Sequence, residues 1–183
     1  MSRKPRSVTA ALAVALLLGG CSQVDGNKGG DGAGAGSEGV PVRSEAAVKQ
    51  RVARASSQIL DVIGLKDRAK AKDSMPVPLG CSDHPEGSGV QRVNHLWSLW
   101  GPTEAELEGA MDRLKEKLPA SGWSIAGEGL DDSRAKSPRI VAESDDGQVA
   151  ADLRLRIAAP GGKHGSAIEV SVATKCFRAG PAG

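Results

Sequence analysis

Two stretches of alternating side chains near the C-terminus constrain the fold of this 183-residue chain more than any other feature. From Gln148 to Ala158 every second residue is apolar, and from Ser166 to Phe177 every second residue is apolar or small. Successive side chains of a strand point to opposite faces, so each stretch predicts a strand with one buried and one solvent-facing side. The solvent-facing positions carry charges of both signs, which predicts a solvated face with cross-strand ion pairs. These charged residues are Asp152, Arg154, Arg156, Glu169 and Lys175.

Two earlier segments have the residue spacing of amphipathic helices. The first spans Glu45–Ile63, with Ser44 as the predicted N-cap and Gly64 as the predicted stop. Its apolar stripe consists of Val48, Val52, Ala55, Ile59 and Val62. The second begins with the capping box Thr103-Glu-Ala-Glu106, whose end residues each bond the backbone of the other. Its apolar stripe consists of Leu107, Ala110, Met111, Leu114 and Leu118.

The remaining segments complete the predicted fold. Further strands are predicted at Val90–Trp100 and Arg139–Ser144, with a short one at Trp123–Ala126. Asp145-Asp146-Gly147 is typical of a hairpin turn, because glycine adopts the positive φ that the turn requires. Residues 65–89 contain three prolines and several glycines, which predicts a long loop. Together these elements predict an α+β domain, with two amphipathic helices packed on one face of a four- or five-stranded antiparallel sheet and one disulfide.

The first 21 residues resemble the signal of a bacterial lipoprotein. A basic start leads into a nine-residue apolar run, Ala10–Leu18, which ends in Leu18-Gly19-Gly20-Cys21. A secretory signal has this layout, whereas a membrane-spanning helix needs about twice that apolar length. The last four residues resemble a lipobox, in which the cysteine thiol receives a diacylglyceryl group and the signal is cut just before it. The resemblance implies lipidation of Cys21, cleavage between Gly20 and Cys21, and a lipid-anchored, extracytoplasmic location on the outer face of the cell membrane.

Residues 22–43 are expected to form a flexible tether, because seven of these 22 residues are glycine and none is aromatic. The expected organisation is a signal peptide at 1–20, the lipidated cysteine and Gly-rich tether at 21–43, and a single domain at 44–183. Tethers of this composition resemble those of small actinobacterial lipoproteins. Signal removal takes three of the 24 basic residues, leaving 21 against 22 acidic ones and a net charge of −1. That balance, without a series of aromatic residues for base stacking, predicts no nucleic-acid partner.

With Cys21 assigned to the anchor, two cysteines remain in the domain that follows. Cys81 and Cys176 are predicted to form a disulfide, because paired thiols of exported domains are usually oxidised. The bridge would join the long early loop to the end of the last strand. A metal site of Cys81, Asp83, His84 and Cys176 is the alternative, but the spacing lacks a second close pair of ligands. No metal and no cofactor are therefore predicted.

No group of residues in the sequence is typical of a catalytic site, so no catalytic residue is predicted. Ser133-Arg-Ala-Lys136 matches the Ser-x-x-Lys pattern of penicillin-recognising serine enzymes, but acidic neighbours and Pro138 predict a loop there instead of a buried helix start. His95, Trp97 and Trp100 lie on one predicted strand and are the candidates for contact with a ligand or partner. The alternative for all three is an ordinary place in the sheet or core.

An anchor, a tether and a disulfide without catalytic residues favour a non-catalytic binding or accessory module of the cell envelope. Its predicted partners are the membrane, through the lipid on Cys21, and an envelope protein or small ligand that the sequence leaves unidentified. Two alternatives stay open: a carrier with an apolar cavity between helices and sheet, and a small hydrolase that uses His84 or His95 with an acidic partner. A cavity of several hundred Å³ lined by Trp97, Trp100 or Leu114 would favour the carrier.

Overall fold

A computed structural model describes residues 39–72, 74–159, 161 and 164–180. Within these residues the chain forms two α-helices and nine strands. The helices are α1 (Glu45–Ile63) and α2 (Glu104–Lys117), and a 3-10 turn at Pro119–Ser121 follows α2. The strands are β1 (Val42–Ser44), β2 (Lys70–Lys72), β3 (Val77–Gly80), β4 (Val90–Trp100), β5 (Trp123–Leu130), β6 (Pro138–Ser144), β7 (Val149–Arg156), β8 (Ala167–Thr174) and β9 (Phe177–Gly180).

The predicted fold, two helices packed on a four- or five-stranded antiparallel sheet, is wrong. The described part of the chain is mostly sheet, and its nine strands form one sheet that curls into a half-barrel. The strand order is β1-β9-β4-β8-β7-β6-β5, and β2 and β3 also pair with β4. The β1–β9 pair is parallel, and the other described pairs are antiparallel.

Short strands account for most of this difference. β1, β2, β3 and β9 are three or four residues long, too short for a period-two pattern to identify them. β1 uses Val42 and Arg43, the last residues of the expected tether, and β2 and β3 lie inside the expected 65–89 loop. Pairing with longer strands stabilises such segments, because strand formation depends more on neighbours than on local propensity.

The last predicted strand is interrupted near its end. β8 stops at Thr174 and β9 begins at Phe177, so the alternation of buried and exposed residues shifts between them. Phe177 is buried, whereas Cys176, which the sequence placed on the buried face, is only half-buried. One extra residue in a strand shifts every later side chain to the opposite face, which explains the exchange.

The longer predicted elements are confirmed. α1 spans the predicted residues and ends at Gly64, whose φ of +68° is left-handed. α2 begins with the predicted capping box, in which the Glu106 carboxylate accepts hydrogen bonds from the backbone N–H and the hydroxyl of Thr103, each at 2.9 Å. β4 spans the predicted residues, and the predicted turn between β6 and β7 places Gly147 at a φ of +63°. Local signals were sufficient for these elements.

One apolar cluster joins the buried faces of both helices to the inward residues of the sheet. α1 packs against β4 and β8, and α2 packs against α1 and β7. The buried stripe of α1 consists of Val48, Val52, Ser56, Ile59 and Ile63. Ser56 is therefore buried on α1, whereas the sequence pattern had placed the neighbouring Ala55 in the apolar stripe. This buried polar residue lies at the candidate site.

Residues 1–38 lie outside the described residues, and with them the predicted signal peptide, Cys21 and most of the tether. Across the described residues, no helix combines the length and apolar character needed to cross a membrane.

Candidate functional site

A pocket of about 310 Å³ lies between α1 and the middle of β4. α1 contributes Ala53, Ser56, Ser57 and Leu60 to its wall, β4 contributes His95 and Trp97, and the segment 74–76 ahead of β3 forms the remaining side. Its volume lies at the small end of the range found for ligand pockets, about 300–1,000 Å³.

Two polar side chains meet at this helix–strand contact. Ser56 lies on the buried stripe of α1, and His95 lies on the inward side of β4 between Val93 and Trp97. The Ser56 hydroxyl oxygen is 2.8 Å from His95 Nδ1, and the two residues are only 4% and 6% exposed. Each therefore supplies a hydrogen-bond partner that the other needs in an otherwise apolar layer, where an unpaired polar group costs free energy.

Trp97 also lines the pocket, but its ring nitrogen is enclosed by protein. Its side chain is 8% exposed, and its Nε1 atom is buried without a hydrogen-bond partner anywhere in the described residues. An indole N–H can only donate, so no rearrangement of the ring turns it into an acceptor. Leaving such a donor buried and unpaired costs about 1–3 kcal/mol. The protein thus keeps an unmet hydrogen-bond donor inside its core, out of reach of the pocket space.

The segment 74–76 closes the open edge of the pocket. The Ser74 hydroxyl donates to the backbone oxygen of Leu96, which fixes the segment beside β4. Met75 and Pro76 also line the pocket. None of the described lining residues is Asp, Glu, Lys or Arg, so the wall combines apolar surface with a few neutral polar groups and His95. A binding pocket for a small molecule has this composition.

The structure separates the residues that the sequence grouped as ligand contacts. His95 and Trp97 lie in the pocket wall, whereas Trp100 is half-buried farther along β4, opposite Ala167, and is absent from that wall. His84 lies in the turn after Cys81. Ser56 was missed, although its spacing of four from Val52 was a visible signal. The contribution of segment 74–76 had no signal, because it depends on how β3 pairs with β4.

The predicted disulfide between Cys81 and Cys176 is confirmed, and it joins residues 95 positions apart. It ties the end of β3 to the junction of β8 and β9. Both thiols of the alternative metal site are therefore used. Within the described residues, no cluster of three or more His, Cys, Asp or Glu side chains could hold a metal ion.

The outer face of the sheet carries the predicted ion pairs. Asp152 on β7 accepts hydrogen bonds from Arg139 at 2.8 and 2.9 Å and from Arg154 at 2.8 and 3.1 Å. Burial raises the pKa of the Asp152 carboxyl, but the bonds from the two arginines outweigh it and hold the pKa below its usual value. Arg156 pairs with Glu169 at 3.6 Å. Of these charged residues, Asp152, Arg154 and Glu169 border a hollow of about 550 Å³.

Ser133, from the Ser-x-x-Lys pattern, lies in a loop as predicted. Its hydroxyl donates to the Asp131 carboxylate at 2.6 Å, and the backbone N–H of Ser137 donates to the same carboxylate at 3.0 Å. These bonds, with the Ser133 hydroxyl bond the largest contribution, lower the pKa of Asp131. The carboxylate therefore organises the β5–β6 loop, and Lys136 follows in a left-handed conformation at a φ of +48°.

Comparison with known proteins supplies no relative for this chain. The sequence matches no protein-family model, and no curated protein or solved structure matches it. Any functional conclusion therefore depends on the pocket geometry and on the sequence signals. The pocket between α1 and β4 is the region where buried polar groups and apolar walls coincide.

Proposed function

We propose that this chain is a lipid-anchored, extracytoplasmic binding module whose ligand site is the pocket between α1 and β4. The observation that carries the proposal is the pocket itself, whose mostly apolar wall contains the buried Ser56–His95 pair. A concave, mostly apolar wall with a few polar groups is the usual form of a small-molecule site. The binding role needs no chemical step.

A concave pocket favours a small ligand over a protein partner for this module. Protein partners generally cover flat patches of about 800 Å² on each side, whereas a pocket buries most of the surface of a small molecule. The pocket of about 310 Å³, lined by Trp97, fits the carrier form of the binding role that the sequence left open.

The anchor is the second part of the proposal. Cys21 would carry at least two acyl chains, the number needed for stable residence in a membrane. We expect Cys21→Ala to remain an unprocessed precursor and to move from the detergent phase to the aqueous phase on phase partitioning. Cys81→Ala is the matched control, because it removes a cysteine and keeps the anchor. Detergent-phase partitioning of a Cys21→Ala chain that is cleaved after Gly20 would contradict the anchor.

The role of the pocket as the ligand site is tested by a substitution that fills part of its volume with a larger side chain. Ala53 is half-buried in the wall, so Ala53→Leu adds apolar volume to the pocket without breaking the helix. We expect it to weaken binding of a neutral fluorescent dye, N-phenyl-1-naphthylamine, by about tenfold or more. Ala47→Leu is the matched control, since it makes the same change at an exposed position of the same helix. Equal dye affinity in wild type and both variants would contradict the pocket as the ligand site.

A small hydrolase is the second candidate, and the 2.8 Å contact between Ser56 and His95 favours it. In that role Ser56 would be the nucleophile and His95 the base. The candidate ranks second because Ser56 lies inside α1, where backbone N–H groups are bonded within the helix and cannot stabilise an oxyanion. We expect no covalent labelling of Ser56 by a fluorophosphonate probe. Labelling that Ser56→Ala abolishes and Ser57→Ala preserves would establish the hydrolase instead.

A further inference from the structure

We propose that an exposed apolar patch at the edge of the sheet docks this domain on the surface of a phospholipid membrane. This docking patch consists of Met75, Val77, Leu79 and Leu96. The inference rests on the lipid anchor of the proposed function, and it adds the surface that the domain turns towards the lipid. Three features support it: the clustering of exposed apolar side chains, the charge beside them, and the place where the chain leads towards Cys21.

Exposed apolar side chains are concentrated at the docking patch. Within the described residues seven large apolar side chains are exposed, and four of them belong to the patch. Met75 is 81% exposed and Leu96 is 58% exposed. Single exposed apolar residues are common on soluble proteins, whereas a contiguous group indicates a surface that contacts a protein or a membrane.

The pairing of β3 with β4 places three residues of the docking patch on one face. Arg92, Asn94 and Leu96 alternate with buried residues along β4 and therefore point outwards. Leu79 lies opposite Arg92, and Val77 lies opposite Asn94. Directly opposite residues of an antiparallel pair share a face, so Val77 and Leu79 point outwards together with Leu96.

Met75 extends the docking patch towards the α1–β4 pocket. The Ser74 hydroxyl donates to the backbone oxygen of Leu96, which holds the next residue, Met75, beside Leu96. Met75 also lines the pocket. Docking through this patch would therefore bring the proposed ligand site close to the lipid.

The charge beside the docking patch suits the headgroups of phospholipids. Arg92 is exposed on the same face as Leu79, and within the described residues its guanidinium has no ion-pair or hydrogen-bond partner. A cation at the border of an apolar surface binds lipid phosphate while the apolar side chains enter the interface. Asp83 and Glu86 are exposed in the segment after β3. We therefore expect apolar contact to dominate and charge to add a modest preference for anionic lipid.

The chain leads towards Cys21 from a position near the docking patch. β1 pairs with β9, and β9 and β3 lie on the two sides of β4, where both pair with Gln91. Three strand spacings, about 14 Å, therefore separate β1 from β3. The 17 residues at 22–38 separate Cys21 from the described chain. A glycine-rich segment of that length spans about 23 Å on average, so a lipid on Cys21 allows the patch to reach the membrane.

Methionine methyl signals test the docking directly. After Cys21 the chain has two methionines, Met75 in the docking patch and Met111, which is 7% exposed in the core. The full chain with its expected lipid is labelled with carbon-13 at the methionine methyl groups. It is then reconstituted in nanodiscs of phosphatidylcholine and phosphatidylglycerol that contain a lipid with a spin label on its acyl chain. We expect strong broadening of the Met75 signal and much weaker broadening of the Met111 signal.

Leu130→Met supplies the matched exposed control. Leu130 is 64% exposed on β5, the strand at the far end of the sheet order. A methionine at this position is as accessible as Met75 but lies outside the docking patch. We expect its signal to broaden much less than that of Met75.

A polar replacement of the docking patch should release the domain from the lipid. Leu79→Gln combined with Leu96→Gln removes apolar surface from exposed positions, so the ratio of docked to undocked domain should fall about tenfold or more. Leu130→Gln is the matched control and should leave the ratio unchanged. Arg92→Gln should lower it about fivefold at most, and less in nanodiscs of phosphatidylcholine alone.

The outcomes distinguish the docking patch from the anchor. If the chain stays with the nanodiscs but Met75 and the control methionine at position 130 broaden equally, the patch does not dock and the anchor stands. If the chain leaves the nanodisc fraction, the proposed anchor fails and the docking fails with it. A Met75 signal that moves with protein concentration, and does not broaden in the nanodiscs, would assign the patch to a second copy of the chain instead of the membrane.

Discussion

The protein has two clusters of polar side chains, an outer cluster on the exposed face of the sheet and a pocket cluster beside the α1–β4 pocket. They differ in whether all their polar groups have a hydrogen-bond or ion-pair partner. On the outer face, Asp152 lies between Arg139 and Arg154, and each charge meets its opposite. Beside the pocket, Ser56 and His95 bond each other, and the enclosed Nε1 of Trp97 has no partner in the described residues. The pocket cluster uses β4 and the outer cluster uses β6 and β7, with β8 between them in the same sheet. The comparison teaches that polar residues by themselves do not indicate a site, and that the concave, mostly apolar wall around Ser56 and His95 is what favours ligand binding.

Loss of the disulfide should lower the free energy of unfolding more than any other change considered. It should destabilise the outer cluster and the pocket cluster together. Either Cys81→Ser or Cys176→Ser breaks the same covalent link, so each should lower the free energy of unfolding by about 2–5 kcal/mol. Urea unfolding followed by tryptophan fluorescence measures the loss, and Cys21→Ser is the control that should leave it unchanged. Two alkylatable thiols at Cys81 and Cys176 in the native, oxidised protein would contradict the bridge.

The Ser56–His95 hydrogen bond should contribute less to the free energy of unfolding than the disulfide does. Its contribution should be lost when either residue is changed. Ser56→Ala leaves His95 Nδ1 without its buried hydroxyl, so we expect a loss of about 1–3 kcal/mol. In a double-mutant cycle, Ser56→Ala with His95→Leu should cost less than the sum of the two single changes. Ser57→Ala, at an exposed position on the same helix, should cost almost nothing. Additive losses would show that the two side chains do not act as a pair.

A change in the outer cluster should lower the free energy of unfolding least, and the size of this loss should depend on pH. Since the folded pKa of Asp152 is lowered, its contribution is complete above the unfolded value of about 3.9 and is lost as pH falls through that value towards the folded pKa. We expect Asp152→Asn to cost about 1 kcal/mol at neutral pH and to reduce the loss of stability below about pH 4.

Two further measurements sharpen this contrast. Asp132→Asn, in an exposed loop position, is the matched control and should keep the wild-type acid dependence. Dye affinity at neutral pH should be the same for Asp152→Asn and wild type, because the outer cluster does not border the α1–β4 pocket. A change in dye affinity would show that the two clusters are coupled through the sheet.

Sequence reasoning succeeded where structure is determined within a few neighbouring residues. The capping box at Thr103–Glu106, the stop at Gly64 and the alternation along β4 are all local signals, and each produced a correct element. β3 had no such signal, since its residues become a strand only by pairing with Gln91–Asn94. The fold was therefore wrong at the level of the sheet, although its longest elements were right.

The residues of the candidate site also divide into those that local sequence signals indicated and those that depend on the packed structure. His95 and Trp97 were found because residues two apart on a strand share a face. The spacing of Ser56 from Val52 indicated the buried face of α1, but periodicity does not show which strand that face covers, so the contact of Ser56 with His95 was missed. The unpartnered state of Trp97 Nε1 is a property of the packed structure, so no reading of the sequence could supply it.

The proline in β3 has a consequence for how copies of this chain behave beside one another. Among the described strands β3 pairs only with β4, so its other side is an open edge, and Val77 and Leu79 are exposed there. An open, apolar edge invites a strand from a neighbouring molecule, and Pro78 between them has no N–H to offer it. In the proposed anchored state, copies would be confined to two dimensions and would meet often, so such an edge would favour lateral aggregation. Pro78 removes an N–H from this edge and so weakens the pairing that would join two copies there.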